Sequence, residues 1–319
     1  MRVSLETKKK KYRMIYEMIC EDLRISYGSI AETLQLDWKT AWERTREAFD
    51  EQYILGPQLR RRSYRNTKEY VYFFRSKNSV ESFLKYVKNM DVVYHATMFG
   101  FSDMWIVSKK KIEIEEDILI EGFCSDYHVS FPPDRLWGAA IDVIQEKVER
   151  FDPTAYSPQG IIKTHFDEEI EWDEKDELLF RYFKYNMRKP LGPLIGGKQI
   201  SKDKIYKFLA RLPETCTVAT AFCPDTLTAY DPCLLMFETD YEDFIIELFS
   251  ELPSTSIFFK VGDKLFADVH APKHIVRSPD IRVLINKLHI PFLINDLTKR
   301  GIINSAGQAI VTYSWGKDL

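Results

Sequence analysis

A chain of 319 residues with 45% hydrophobic, 14% aromatic and 29% charged residues has the make-up of a globular protein with room for two to four domains. The most apolar stretch, Thr215 to Phe237, is broken by Pro224, Asp225, Asp231 and Pro232, and no apolar core follows the basic start MRVSLETKKKKYR. A membrane partner and export are therefore not expected, and five cysteines in no framework point to reduced thiols in the cytoplasm. The net charge of −3 is uneven: Met1 to Lys68 and Glu174 to Phe222 each carry +5, so the rest is acidic, the asymmetry of nucleic-acid contact modules joined to non-contacting ones.

In chain order, Ile15, Tyr16, Ile19 and Leu23 recur at helical spacing over Tyr12 to Leu23. A short helix is predicted from Ser29 to Leu34, with Ile30 and Ala31 inward. Asp37 then caps a third helix, Trp38 to Phe49, whose inner face is Ala41, Thr45 and Ala48. Short strands, Tyr53 to Leu55 and Tyr64 to Phe74, flank the basic Arg60, Arg61 and Arg62, giving a winged helix-turn-helix. Next come a strand (Glu69 to Arg75), a helix (Ser79 to Met90) and a strand pair around Gly100 (Val92 to Phe99, Asp103 to Ser108). A strand-like insertion (Lys111 to Cys124), a helix (Leu136 to Phe151) and a closing strand near Ile161 to Phe166 complete a ferredoxin-like β-α-β-β-α-β order.

The order then recurs. Gly28, Gln35 and Leu36 answer to Gly192, Gln199 and Ile200 at an offset of 164, and Glu81 and Phe83 to Glu242 and Phe244 at 161. Trp172 and Lys175-Asp176 rhyme with Trp315 and Lys317-Asp318. A repeat this long is no solenoid unit and reads as a duplicated two-part module. The expected fold class is α+β: winged helix-turn-helix domains at 1–68 and 173–228, each joined to a ferredoxin-like domain, at 69–172 and 229–319. The second helix-turn-helix, ending in a helix capped by Ser201, is expected to be degenerate, because Gly192, Pro193, Gly196 and Gly197 are poor in a helix interior. The second ferredoxin-like domain is expected over Cys233 to Glu238, Tyr241 to Leu252, Thr255 to Val261, Lys264 to His270, Pro279 to Arg300 and Ala309 to Ser314.

The stretch RISYGSIAETLQLDWKTAWERTREAFDEQYILGP, Arg24 to Pro57, resembles the helix-turn-helix of the leucine-responsive and asparagine-regulatory (Lrp/AsnC) transcription regulators. VVYHATMFGFSDMWIVS resembles that family's effector module, with Gly100-Phe101-Ser102-Asp103 at its Gly-aromatic-x-Asp turn. Tyr27, Trp38, Trp42 and Glu43 depart from the family's small, polar or basic residues. The resemblance implies a DNA-binding transcription regulator with no cofactor and no enzymatic activity. Its partners would be double-stranded DNA and a small-molecule effector such as an amino acid, and its assembly an internal pseudo-dimer or a homo-oligomer.

On this reading Trp38, Lys39, Thr40 and Arg44 face the major groove, while Arg60, Arg61, Arg62 and Arg65 meet phosphates from the wing. The rival reading makes the winged helix a protein-interaction module. Gly100 and Asp103 are either an effector site or an ordinary tight turn. No metal site is expected: Ala271-Pro272 breaks the interval between His270 and His274, and Cys216, Cys223 and Cys233 lack paired spacing. The alternative function is enzymatic. Siroheme decarboxylases are built on the same architecture and carry a His-Asn-Tyr stretch followed by Asn-Leu-Trp-Phe-Thr. Tyr94-His95 and Ser102-Asp103-Met104-Trp105-Ile106 match this in part, which would make His95 the residue bearing the chemistry.

Overall fold

The computed structural model describes residues 4–197, 200–273 and 290–316, and they form two compact units. The first comprises residues 1–61 and 171–228, the second residues 62–170 and 229–319. The protein is a mixed α/β protein whose sheets are antiparallel. Among the described residues no helix is long and apolar enough to cross a membrane.

In the first unit, α1 (Leu5–Glu21), α2 (Tyr27–Thr33) and α3 (Trp38–Asp50) lead into β1 (Ile54–Arg61). α6 (Glu174–Phe183), α7 (Gly192–Gly197), α8 (Lys202–Ala210) and α9 (Leu212–Thr215) lead into β7 (Cys216–Phe222). Side-chain caps start the helices where the sequence places them. Asp37 accepts from Thr40 N and Ser201 from Lys204 N, each satisfying an amide that would otherwise lack a partner. α7 forms despite its glycines, burying Leu194. Buried positions fall in step 164 residues apart: Ile15 and Leu179, Ile19 and Phe183, Ile30 and Leu194, Ala41 and Ile205, Ala48 and Leu212. The strands depart from expectation. β1 closes no local hairpin; it pairs antiparallel with β7, Ile54 opposite Phe222 and Arg61 opposite Cys216.

The second unit is a nine-stranded sheet ordered β5-β2-β4-β3-β11-β8-β10-β9-β6. Its first four-strand set is β2 (Tyr70–Arg75), β3 (Val92–Gly100), β4 (Met104–Ser108) and β5 (Asp117–Phe123). The other is β8 (Tyr230–Glu238), β9 (Ile257–Val261), β10 (Lys264–Pro272) and β11 (Ser305–Gly316), with β6 (His128–Val129) beside β9. In both sets the fourth strand lies beside the first, then the third, then the second. Cys124 bridges Val261, and Ser125 N donates to Lys260 O at 3.0 Å, so the sheet curls until its β5 edge meets β9. Parallel aromatic stacks fill the interior: Phe73 on Phe266 with ring centroids 4.7 Å apart, Phe266 on Phe259 at 5.0 Å and Trp105 on Phe259 at 5.6 Å. Offset stacking of this kind adds about 0.5–1.5 kcal/mol per pair beyond area burial.

The outer face of the sheet is covered unequally. α4 (Ser79–Val87) lies on β3 and β4. α10 (Glu242–Phe249), α5 (Trp137–Arg150) and α11 (Ile290–Lys299) cover the β8–β10 set. α5 was expected to serve the first set. Its apolar stripe, Ala140, Ile141, Ile144 and Val148, instead places Ile144 and Val148 in one core with Leu235, Phe237, Ile245 and Ile246. The expected insertion, Lys111 to Cys124, supplies the edge strand β5, paired with β2. No strand forms at Ile161 to Phe166, where only His165 makes an isolated bridge with Tyr64. Asp243 holds the approach to that segment, accepting from the amides of Gln159 (2.6 Å), Gly160 (2.9 Å) and Ile161 (2.9 Å). Of the expected helix Pro279 to Arg300, residues 279–289 lie outside the described ones, as do Gln199, His274 and Lys317-Asp318.

Candidate functional site

His95 sits in the middle of β3, opposite Ile106 on one side and Trp315 on the other. Side chains alternate across a strand, so its imidazole shares the helix-bearing face with Thr97 and Phe99. The ring is fully buried, 4.2 Å from that of Phe83 on α4 and 5.1 Å from that of Trp315. Among the described residues neither ring nitrogen has a hydrogen-bond partner. Burial without a compensating charge holds the imidazole neutral, its pKa depressed to about 4. A polar side chain left unmatched in an apolar setting destabilises the fold, and such a group calls for an explanation.

Above it the surface is open and apolar. Val80, Leu84 and Val87 form an exposed stripe on α4, the first two 69% and 59% exposed. On the strands, Phe99 is 78% and Tyr313 63% exposed, with Ile310 opposite Phe99 and Tyr313 opposite Thr97. The Tyr313 ring stands 5.1 Å from Phe83 of α4, and the ring of Phe83 lies 4.2 Å from that of His95, so strand and helix meet around this phenylalanine. Large apolar side chains exposed on one face mark a candidate place of binding. Trp105, the other residue carrying the decarboxylase likeness, packs on the opposite face of the sheet within the aromatic interior. His95 and Trp105 therefore do not converge.

The expected effector residues are engaged in the fold. Asp103 accepts from Ser76 N at 3.0 Å and from Arg75 at 3.3 Å. Gly100 has φ +145°, and a Cβ there would lie 2.1 Å from Gln308 O, so a glycine is needed where β11 crosses.

The expected DNA contacts are scattered. Trp38 and Lys39 are exposed at the start of α3, with Lys39 3.9 Å from Glu43. Thr40 donates its hydroxyl to Asp37 at 2.6 Å, and Arg44 is largely buried against Glu47. Since β1 runs beside β7, Arg60, Arg61 and Arg62 do not tip a hairpin, which corrects the wing assignment. Arg60 reaches Gln58 at 3.4 Å. Arg61 is buried against Glu177 at 3.0 Å, its guanidinium over Trp172 and Phe180. In the second unit Arg62 pairs with Asp126 at 3.3 Å and Arg65 with Glu169 at 2.6 Å. Among the described residues no group of three or more His, Cys, Asp and Glu is placed to hold a metal ion.

No protein-family model and no curated protein matches this chain. Two solved structures do. One is a siroheme decarboxylase, NirDL, at 9% identity and a TM-score of 0.49, covering 97% of this chain and 92% of that one. The other is the same enzyme in co-complex with an iron-uroporphyrin III analogue, at 9% identity and a TM-score of 0.45, covering 91% and 86%. Both are structures of an enzyme, which runs against the expectation that the chain has no enzymatic activity. At this identity the likeness assigns no substrate to the chain.

Proposed function

We propose that the protein is an enzyme of the siroheme-decarboxylase type, taking a tetrapyrrole carboxylate on the apolar face of α4, β3 and β11. The observation that carries the reading is His95, a neutral imidazole with two unmatched nitrogens beneath an exposed aromatic and aliphatic surface. A flat macrocycle matches a broad apolar face better than a compact amino acid does. Loss of carbon dioxide from an acetate side chain leaves an electron pair on the methylene carbon, and a proton delivered there gives the methyl product. A neutral imidazole offers an N–H to donate and a lone pair to be reprotonated, which suits that transfer. His95 is fully buried with the ring of Phe83 4.2 Å away, so on this reading side chains such as Phe83 turn aside to let substrate reach the imidazole.

The same reading takes each unit as two copies of one module, a helix-turn-helix in the first and a ferredoxin-like set in the second. Its support is the register of buried residues 164 apart and the shared strand order of the two four-strand sets. The regulator alternative draws less support, since Arg61, Arg62 and Arg65 are held by carboxylates.

The test is an absorption titration with siroheme and with iron-uroporphyrin III, followed by anaerobic assay of carbon dioxide release. The expected result is a shifted Soret band, weakened by Leu84→Glu or Phe99→Glu, and turnover lost in His95→Ala with binding retained. Absence of any spectral change, together with salt-steep retention on heparin, would overturn the proposal in favour of a DNA-binding role.

A further inference from the structure

Two contacts in the first unit repeat each other with partners exchanged. Arg24 donates from Nη1 to the carbonyl of Met187 and from Nη2 to that of Lys189, the latter at 3.0 Å. Arg188 donates from Nη1 to the carbonyl of Leu23 at 3.2 Å and from Nη2 to that of Ile25 at 2.8 Å. Moving every residue by 164 turns one pair of bonds into the other: 24 becomes 188, 23 becomes 187 and 25 becomes 189. Such exchange is the signature of an isologous, two-fold interface, in which a residue of one half meets the other half as its counterpart meets it. β1 and β7 also run antiparallel, as two-fold mates would, with the register slipping by one residue at the irregularity between Leu55 and Gln58.

The arginines are held chiefly by carbonyls and rings, with the charge of Asp22 also favouring the cationic form of Arg24. Arg24 lies over the ring of Phe183 and Arg188 over that of Tyr27, 5.6 and 5.5 Å from the centroids. Burial, and then the neighbouring charge of Arg188, disfavour the cationic form of Arg24. The four carbonyl oxygens and the two aromatic faces therefore offset both desolvation and the repulsion between like charges.

We infer that Arg24 and Arg188 form a reciprocal clasp, by which one chain supplies both sides of an interface that separate copies of such a module would share. Each guanidinium closes the loop of the other half, just before that half's second helix. The pairing surface is thereby occupied from within. The first unit holds α3 and α8 as fixed two-fold mates.

The experiment uses the full-length protein and its Arg24→Met and Arg188→Met variants, followed by hydrogen exchange. Loss of Arg24 is expected to speed exchange in peptides covering Met187 to Leu191 by about ten-fold, and loss of Arg188 to do so at Leu23 to Tyr27. The reach across the chain separates a clasp from a local packing role, which would speed exchange around the substituted residue itself. Should a Met variant fail to fold, the Lys variant at the same position, which cannot reach two carbonyls in fork geometry, takes the same measurement. Exchange raised only near the substituted residue would overturn the inference.

Discussion

Acid should weaken the protein through His95, and His95→Leu should remove that weakness. The imidazole's pKa is about 4 when folded, against 6.5 for the free side chain. Between those values the unfolded chain binds a proton that the folded one refuses, so stability rises with pH across the window and falls as pH drops through it. Linkage gives a loss of about 2 kcal/mol between about pH 7 and 5, growing to about 3 kcal/mol below about pH 4. His128, which burial also holds below its ordinary value, contributes with the same sign but is present in both proteins, so the difference between them isolates His95. Leucine leaves no unmatched nitrogen, and at about pH 7 the variant should be within about 1 kcal/mol of wild type or more stable. Urea midpoints of both proteins across that pH range decide the matter. Equal pH slopes would refute the reasoning, because they would mean that His95 finds a partner or solvent in the folded state.

Three further outcomes follow from the packing. Gly100→Ala should destabilise by about 2 kcal/mol or more, since its Cβ would overlap the backbone of Gln308 and Ala309, and a thermal shift checks it. Asp243→Ala should cost about 3 kcal/mol and expose residues 156–161 to protease, because three amides lose their acceptor; an unaltered cleavage pattern would show that aromatic packing alone holds the loop. Arg61→Ala should lower stability by about 1–3 kcal/mol, read from denaturant midpoints, because Glu177 loses its buried cation and keeps the more exposed Arg181, while Trp172 and Phe180 lose the guanidinium packed on them; a DNA-facing arginine would leave stability unchanged.

What the sequence shows and what it conceals divide along the range of the interactions. Helical spacing of Ile15, Tyr16 and Ile19, and the caps Asp37 and Ser201, act within a few residues and are legible without a fold. The choice of partner is not. α5 has an apolar stripe that fits either four-strand set, and nothing local says that it goes to the one formed by residues 230–316. β1 likewise shows a strand pattern but not that its mate lies in β7. The Gly100 turn admits two readings in sequence, and the sequence does not show that Gln308 passes so close that a side chain there has no room. His95 is visible as a histidine on a strand, whereas its lack of any partner depends on Phe83 and Trp315 arriving from elsewhere.

The same consideration explains why a basic run gives a weak forecast of function. Arg60, Arg61, Arg62 and Arg65 stand within six residues and look like one cationic surface. Folding deals them to two units, and Glu177, Asp126 and Glu169, each more than sixty residues distant, neutralise three of them. The charge available to a phosphate is what remains after such pairing, and here most of it is used to hold the fold. An apolar surface has no comparable internal remedy. Once Leu84, Phe99 and Tyr313 stand exposed beside a histidine that nothing satisfies, the arrangement remains costly until something covers it, and that cost is what directs the functional reading to this face.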